Sequence, residues 1–205
     1  MISYLASFSQ STSTKFQALK RKSLSIRDIL CVIDFMAKNL AKMPLAECFK
    51  EAIELVIIDG ICLGIDTAGL QEQEAIISAC HEQLDKILSS LLPLAPVATQ
   101  KELLSTEEVL GVSHYSISKK PDLALSSNFA FNAATTQTNL MKLLRAFTLG
   151  KPILIEGPPG VGKTALVEQV AKVTGRKLFR VNLSEQTDMM DLLGSEYPTS
   201  ANKSS

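Results

Sequence analysis

One short stretch of the sequence combines glycines, a lysine and a threonine at the spacing of a phosphate-binding loop. It matches the pattern G-x-x-x-x-G-K-[ST] and consists of Gly157, Pro158, Pro159, Gly160, Val161, Gly162, Lys163 and Thr164. Glycines let the backbone approach a phosphate closely, so that successive N–H groups can point at its oxygens. The stretch, called the P-loop below, is therefore predicted to bind the phosphates of a nucleotide.

The last two residues of the P-loop indicate how a nucleoside triphosphate would be held. Lys163 can reach the β- and γ-phosphates, and the Thr164 hydroxyl can take one coordination position on Mg²⁺. A helix that begins near Lys163 adds the partial positive charge of its amino-terminal end. We therefore expect ATP and Mg²⁺ as cofactors.

The residues on either side of the P-loop predict one β-α-β unit. A buried strand is expected from Pro152 to Glu156, a helix from Lys163 to Val173, and a second strand from Lys177 to Asn182. A strand, a helix and a parallel strand in this order form a right-handed crossover. Leucines at helical spacing predict a further helix near 136–148, and a short helix is expected near 186–195.

The sequence offers no clear second acidic motif for the metal. The residues after Thr164 contain no apolar run that ends in aspartate, which a P-loop NTPase uses on the metal side. One apolar run in the chain does end in an aspartate, Asp59, but it lies upstream of the P-loop. The apolar residues around it recur at helical spacing, so this run is expected to form a helix that packs in the core. Glu185, Asp188 and Asp191 are typical of a helix amino terminus. No catalytic residue is predicted.

The first hundred residues are predicted to be mostly helical. Ser25 and Asp28 fit a capping box at the start of one helix, and Pro44 suits the first turn of a second. Apolar residues at helical spacing predict a third helix, which begins near Gln71 and ends before Pro93 and Pro96. Beyond these prolines, alternating residues at 114–118 predict a short strand.

Composition excludes several classes of protein. The chain has 205 residues, is 46% hydrophobic, and carries equal numbers of acidic and basic side chains, 21 of each. Such a chain is expected to be globular, with no overall field to attract nucleic acid or a membrane surface. The apolar stretch from Leu55 to Ile65 is too short to span a bilayer. The first residues predict no secretory signal, so an intracellular location is expected.

The cysteines and histidines do not predict a metal site. Cys31, Cys48, Cys62 and Cys80 lack the C-x₂-C spacing, and they lie in or beside apolar helical patterns. They are predicted to be small buried hydrophobic residues. His81 and His114 are not accompanied by further convergent ligands.

Three strings of residues resemble the midasin family of dynein-related AAA+ ATPases. They are Lys151 to Thr164, Val181 to Asp188, and Asp191 to Ser195, and the similarity extends over about 128–198. The resemblance implies ATP binding and hydrolysis by a complete ring of six modules, which strips assembly factors from pre-60S ribosomal particles. It also implies contacts with neighbouring AAA+ modules of one parent chain, and a nuclear location in nucleolus and nucleoplasm. No membrane and no sequence-specific nucleic acid is implied.

The residues from Ser23 to Asp28 look like the start of the lid of a preceding AAA+ module. In such a lid an arginine senses the γ-phosphate, and Arg27 is the matching position. An exposed arginine in a first helical turn is the alternative interpretation of Arg27.

These observations predict an α/β fold class, with a helical AAA+ lid-like region followed by an incomplete P-loop NTPase core. The predicted regions are a flexible tail at 1–22, the lid-like domain at 23–98, a linker with short strands at 99–127, and the truncated core at 128–205. Alone, the chain is expected to bind nucleotide weakly and not to hydrolyse it. A small stand-alone P-loop kinase or nucleotide switch, and a non-enzymatic helical interaction module, remain alternatives.

Overall fold

The computed structural model describes residues 25–61, 70–91, 102–185, 187–188, 190 and 194. The helices are α1 (Ile26–Asn39), α2 (Leu45–Ile53), α3 (Leu70–Leu91), α4 (Ala134–Phe147) and α5 (Lys163–Thr174), and a π-helical turn (Glu54–Ile58) extends α2. The strands are β1 (Leu103–Ser105), β2 (Val109–Val112) and β3 (Tyr115–Ser118). The predicted tail at 1–22, Pro93, Pro96 and most of the predicted helix at 186–195 lie outside the described residues.

Helix α1 begins where the capping pattern predicts. The Ser25 hydroxyl accepts a hydrogen bond from the Asp28 N–H, and the Asp28 carboxylate accepts one from the Ser25 N–H at 2.9 Å. These reciprocal bonds satisfy backbone donors that have no partner inside the helix. Val32 and Phe35 then place the buried face of α1 against the core.

Helix α2 follows Pro44 as predicted, and the chain continues from its last residue, Ile53, into the π-helical turn. This turn ends at Asp59, whose N–H donates to the Glu54 carbonyl at 2.8 Å. A π-helical turn shifts the side chains that follow it around the helix axis. Here the acidic residues Glu51, Glu54 and Asp59 all meet one buried arginine, described below.

The three strands form an antiparallel meander in the order β1-β2-β3. Val112 pairs with Tyr115 across a two-residue turn in which Ser113 has a positive φ of 56°. Leu110, Val112 and Tyr115 are buried against α4, so the meander is part of the core. The strand predicted at 114–118 is confirmed.

One apolar cluster joins all of these elements. It runs from Val32 and Phe35 in α1, through Ile53 and Ile76, to Leu140 in α4, and it includes Leu166 and Val170 of α5. Cys48 and Cys80 are buried in this cluster, as their apolar surroundings predict, whereas Cys31 is only half-buried and Cys62 lies outside the described residues. None of the described helices has the length and apolar character needed to cross a membrane.

The mixed α/β class is confirmed, but the two strands predicted beside the P-loop are wrong. Residues 152–156 and 177–182 form no strand, and Leu154 and Phe179 are 78% and 76% exposed. A parallel strand is stable only where neighbouring strands pair with it and helices cover both faces. Among the described residues, α5 lies between the two segments in the chain, but no strand pairs with either segment. Both segments therefore remain without β-structure.

Arg145 is the largest fully buried side chain of the described residues, with 1% of its surface exposed. Its Nη1 donates to Glu51 Oε2 at 2.6 Å and to Glu54 Oε2 at 2.8 Å, and its Nη2 donates to Asp59 Oδ2 at 2.5 Å. Burial lowers the pKa of Arg145, but the surrounding carboxylates outweigh burial and raise that pKa above its ordinary value. The guanidinium therefore ties α4 to the α2 region as a permanent cation.

We expect Arg145→Met to lower the free energy of unfolding by about 3–5 kcal/mol, because three carboxylates would then face one another without their buried counter-charge. Arg180→Met is the matched control, since the Arg180–Glu168 pair is exposed at 59% and 40% and should contribute at most about 1 kcal/mol. Urea unfolding of both variants measures the difference. Equal stability of the two variants would contradict a structural role for the buried cluster.

Gly175 ends α5 and fixes the helix against the segment that follows β3. Its φ is 66°, and a Cβ at this position would lie 2.7 Å from the Lys120 carbonyl oxygen and 2.8 Å from the Ala124 nitrogen. The Lys120 N–H in turn donates to the Thr174 carbonyl at 3.0 Å. The helix after the P-loop is thereby anchored at its carboxyl end by backbone contacts.

We expect Gly175→Ala to destabilise the protein by about 1–2 kcal/mol for the left-handed backbone and a further 1–3 kcal/mol for overpacking. Gly150→Ala provides the comparison, because Gly150 has a φ of 65° but no atom within 4 Å of an added Cβ. Thermal or urea unfolding should show the larger loss for Gly175→Ala. An equal loss in the free energy of unfolding for both variants would show that close packing at Gly175 does not contribute to stability.

Candidate nucleotide-binding site

The P-loop joins residues 152–156 to α5, and its glycines adopt the backbone that the motif requires. Gly160 and Gly162 have φ of 82° and 83°, a left-handed region that other residues rarely enter. No atom lies within 4 Å of a Cβ added to either residue, so the space beside them is open. The loop is exposed and can receive a ligand against its backbone.

Lys163 folds back over the loop that precedes it. Its Nζ donates to the carbonyl oxygens of Gly157 and Pro158, both at 2.7 Å. The ammonium is thus held by neutral carbonyl groups on an exposed loop. Phosphate oxygens form stronger, charge-assisted bonds, so a phosphate can replace these carbonyls as its partners.

The amino-terminal end of α5 faces the same region. Gly162 is the residue before the helix, and its carbonyl accepts the first helical hydrogen bond from the Leu166 N–H at 2.9 Å. The N–H groups of the first turn precede that ladder and have no carbonyl partner within the helix. Thr164 lies in this exposed turn. Oriented N–H groups and the helix dipole make this end a site for an anion.

A cleft of about 890 Å³ lies beside the P-loop. Its lining comes from α1, the π-helical turn with Asp59 and Gly60, Phe129, α4 with the residues that follow it, the P-loop, and Leu166 of α5. Gly157, Pro158, Gly160, Val161, Gly162 and Lys163 line the cleft, whereas Pro159 and Thr164 do not. The volume is typical of sites for small molecules and cofactors.

The residues present fit a nucleoside triphosphate with Mg²⁺. The open glycine backbone, the Lys163 ammonium and the first turn of α5 would hold the phosphates, and the Thr164 hydroxyl is the available side-chain ligand for Mg²⁺. Among the described residues, no group of three or more His, Cys, Asp or Glu side chains could hold a metal by itself. A metal here would therefore depend on the phosphates for most of its ligands.

The structure brings Asp59 to the wall of the cleft, which the sequence did not predict. Both of its carboxylate oxygens are bound, Oδ2 by Arg145 and Oδ1 by the Lys142 ammonium at 2.9 Å. Asp59 is therefore a structural anion in this arrangement, in line with its helical pattern. The sequence also gave no sign that Arg145 would be its buried partner, because a single arginine in an amphipathic helix is usually exposed.

Arg27 lies in the first turn of α1 and is exposed. It does not line the cleft, although its neighbour Asp28 does. The structure thus does not place Arg27 among the residues that line the P-loop cleft. Its role as the γ-phosphate sensor of a preceding module stays a prediction.

Two polar residues near the end of the described chain, Thr187 and Asp188, make local contacts. Asp188 Oδ1 accepts a hydrogen bond from the Met190 N–H at 2.9 Å, and Thr187 Oγ1 accepts one from the Ser184 N–H at 2.7 Å. Bonds of this kind are typical of turns and helix starts. Asp191 lies outside the described residues.

The part of the chain that contains the P-loop matches a known protein family. The profile of the AAA family, ATPases associated with various cellular activities, matches residues 153–202, which include the P-loop. No solved structure matches the chain.

Full-length relatives match much more of the sequence. Midasin of Dictyostelium discoideum is 32% identical over 87% of this chain, and midasin of Giardia intestinalis is 33% identical over 86% of it. The chain spans only 3% and 4% of these two relatives. Lon protease of Escherichia coli K12 is 33% identical over 46% of the chain and 11% of its own length. The AAA match and the two midasin alignments together identify the chain as an AAA+ ATPase segment of the midasin type.

Proposed function

We propose that the chain binds ATP with Mg²⁺ through residues 157–164 and forms the nucleotide-binding start of an AAA+ module. The observation that carries this proposal is the P-loop itself, with an open backbone at Gly160 and Gly162, Lys163 folded over the loop, and α5 pointing its first turn at the same space. These features together provide N–H donors and a cation for a polyphosphate.

Within a protein of the midasin type, this segment would contribute to a ring of AAA+ modules. We propose that its partners are neighbouring modules of the same parent chain and, through that parent, pre-60S ribosomal particles and their assembly factors in the nucleus. The resemblance at 128–198 and the midasin alignments support this assignment. Nucleotide-driven rigid-body motion between modules would then remove assembly factors from the particle.

The chain by itself is proposed to bind nucleotide weakly and not to hydrolyse it. Hydrolysis needs a metal-side acid and a group that orients the attacking water. Asp59, the one residue with a suitable sequence context, has both carboxylate oxygens bound to cations. This observation also disfavours a stand-alone P-loop kinase, which would need Asp59 for the metal.

Nucleotide binding should raise the melting temperature of the chain, since a ligand stabilises the state that binds it. We expect a rise of a few degrees with about 1 mM Mg²⁺ and ATPγS. Lys163→Ala should abolish the rise, whereas Lys172→Ala, on the exposed part of α5, should retain it. Differential scanning fluorimetry measures the effect. No rise with the wild-type chain would contradict the proposed function.

We expect the purified chain to release no phosphate from Mg²⁺ and ATP above the rate of a no-protein blank. The physical reason is the occupied carboxylate of Asp59. A continuous phosphate-release assay checks this, with Lys163→Ala as the control for a contaminating ATPase. Turnover that disappears in Lys163→Ala would show that this chain contains a catalytic acid that we have not identified.

A further inference from the structure

We propose that Lys142 is a second phosphate-binding cation of the P-loop cleft, restrained by Asp59 until a polyphosphate enters. This inference rests on the proposed nucleotide binding and adds a residue that lies outside the P-loop motif. Lys142 belongs to α4 and lines the same cleft as Gly160, Gly162 and Lys163.

The polar face of α4 points into this cleft. Thr136, Asn139 and Lys142 follow one another at intervals of three residues, and all three line it. Residues three apart lie on neighbouring positions of a helix surface. The hydroxyl, the amide and the ammonium therefore form one polar stripe in the cleft that the P-loop also lines, and only Lys142 brings a positive charge to it.

Lys142 can leave Asp59 without exposing an uncompensated carboxylate. Its side chain is 49% exposed, and it contacts only one oxygen of Asp59, at 2.9 Å. The other oxygen stays with the buried Arg145. The Asp59 side chain is 22% exposed, so solvent screens the pair in part, and a phosphate that replaces this carboxylate keeps the ammonium paired with an anion. The four-carbon stem of lysine also gives the ammonium a wide reach.

The charge of the cleft favours such an exchange. Its charged lining residues are three acids and three bases: Asp28, Asp59, Glu156, Lys142, Lys151 and Lys163. A polyphosphate entering this balanced set adds several negative charges, which need cations close by. Lys151 is the third base, but its ammonium lies against Cys31 Sγ at 3.1 Å and near Asp34, on the α1 side. Lys142, in contrast, forms its ion pair with Asp59 in the wall of the cleft.

The test measures the affinity of the full chain for Mg²⁺ and ATPγS, and separately for AMP, by isothermal titration calorimetry. We expect Lys142→Gln to weaken ATPγS binding about tenfold and AMP binding less than about twofold, because the lost contact is to the β- and γ-phosphates, which AMP lacks. Lys172→Gln is the matched control and should bind like the wild type, since Lys172 is exposed and lies away from the cleft.

Asp59→Asn tests the restraint. It should tighten ATPγS binding about threefold, because Lys142 is then released and one negative charge leaves the cleft wall. In the Asp59→Asn, Lys142→Gln double variant most of this gain should vanish, which shows that the two residues act on each other. Circular dichroism confirms that each variant is folded. If Asp59→Asn does not fold, Lys142→Gln against Lys172→Gln decides the proposal.

The outcomes separate this inference from the proposed function. If the wild type binds ATPγS, Lys163→Ala does not, and Lys142→Gln binds like Lys172→Gln, the inference is overturned and the proposed function stands. An equal loss of ATPγS and AMP binding in Lys142→Gln would also overturn it, since a general disturbance of the cleft would explain that result. If the wild type itself fails to bind, both are overturned.

Discussion

The packing of the chain depends on one buried positive charge. Arg145 is almost fully enclosed, and three carboxylates from the α2 region surround its guanidinium. A buried charge is costly unless counter-charges and hydrogen bonds surround it, so α4 has very little freedom to slide relative to α2. The chain leads from the end of α4 through Gly150 and Lys151 to the P-loop. The position of the P-loop relative to the helical region is therefore set by this ion cluster as well as by apolar contacts.

Much of the helical framework could be predicted from residue patterns. The capping box at Ser25 and Asp28, the start after Pro44, and the helix after Lys163 each have a local cause that is visible in the sequence, and the structure contains all three. The strands beside the P-loop could not be predicted correctly in this way. An apolar run such as Ile153 to Ile155 becomes a strand only when other strands pair with it, and that condition is not local.

The candidate site shows the same division between local and distant causes. The P-loop residues and their predicted roles follow from the motif, because glycine backbone freedom and a lysine at a fixed spacing are local properties. The approach of Asp59 and Lys142 to the cleft depends instead on how the π-helical turn packs against α4. No periodicity in the sequence encodes a contact between residues so far apart in the chain.

The boundaries of the predicted regions, at 22, 98 and 127, stay predictions. A single apolar cluster joins residues on both sides of the predicted linker.

The unpaired apolar segment after α5 has a consequence for how the chain behaves at high concentration. Leu178, Phe179 and Val181 are all exposed, and runs of this kind can template sheet growth between molecules. Basic residues interrupt the run: the Lys177 ammonium lies 4.7 Å from the centre of the Phe179 ring, and Arg180 pairs with Glu168 of α5. Charges placed this way act as gatekeepers against aggregation, because two such segments would bring like charges together on stacking.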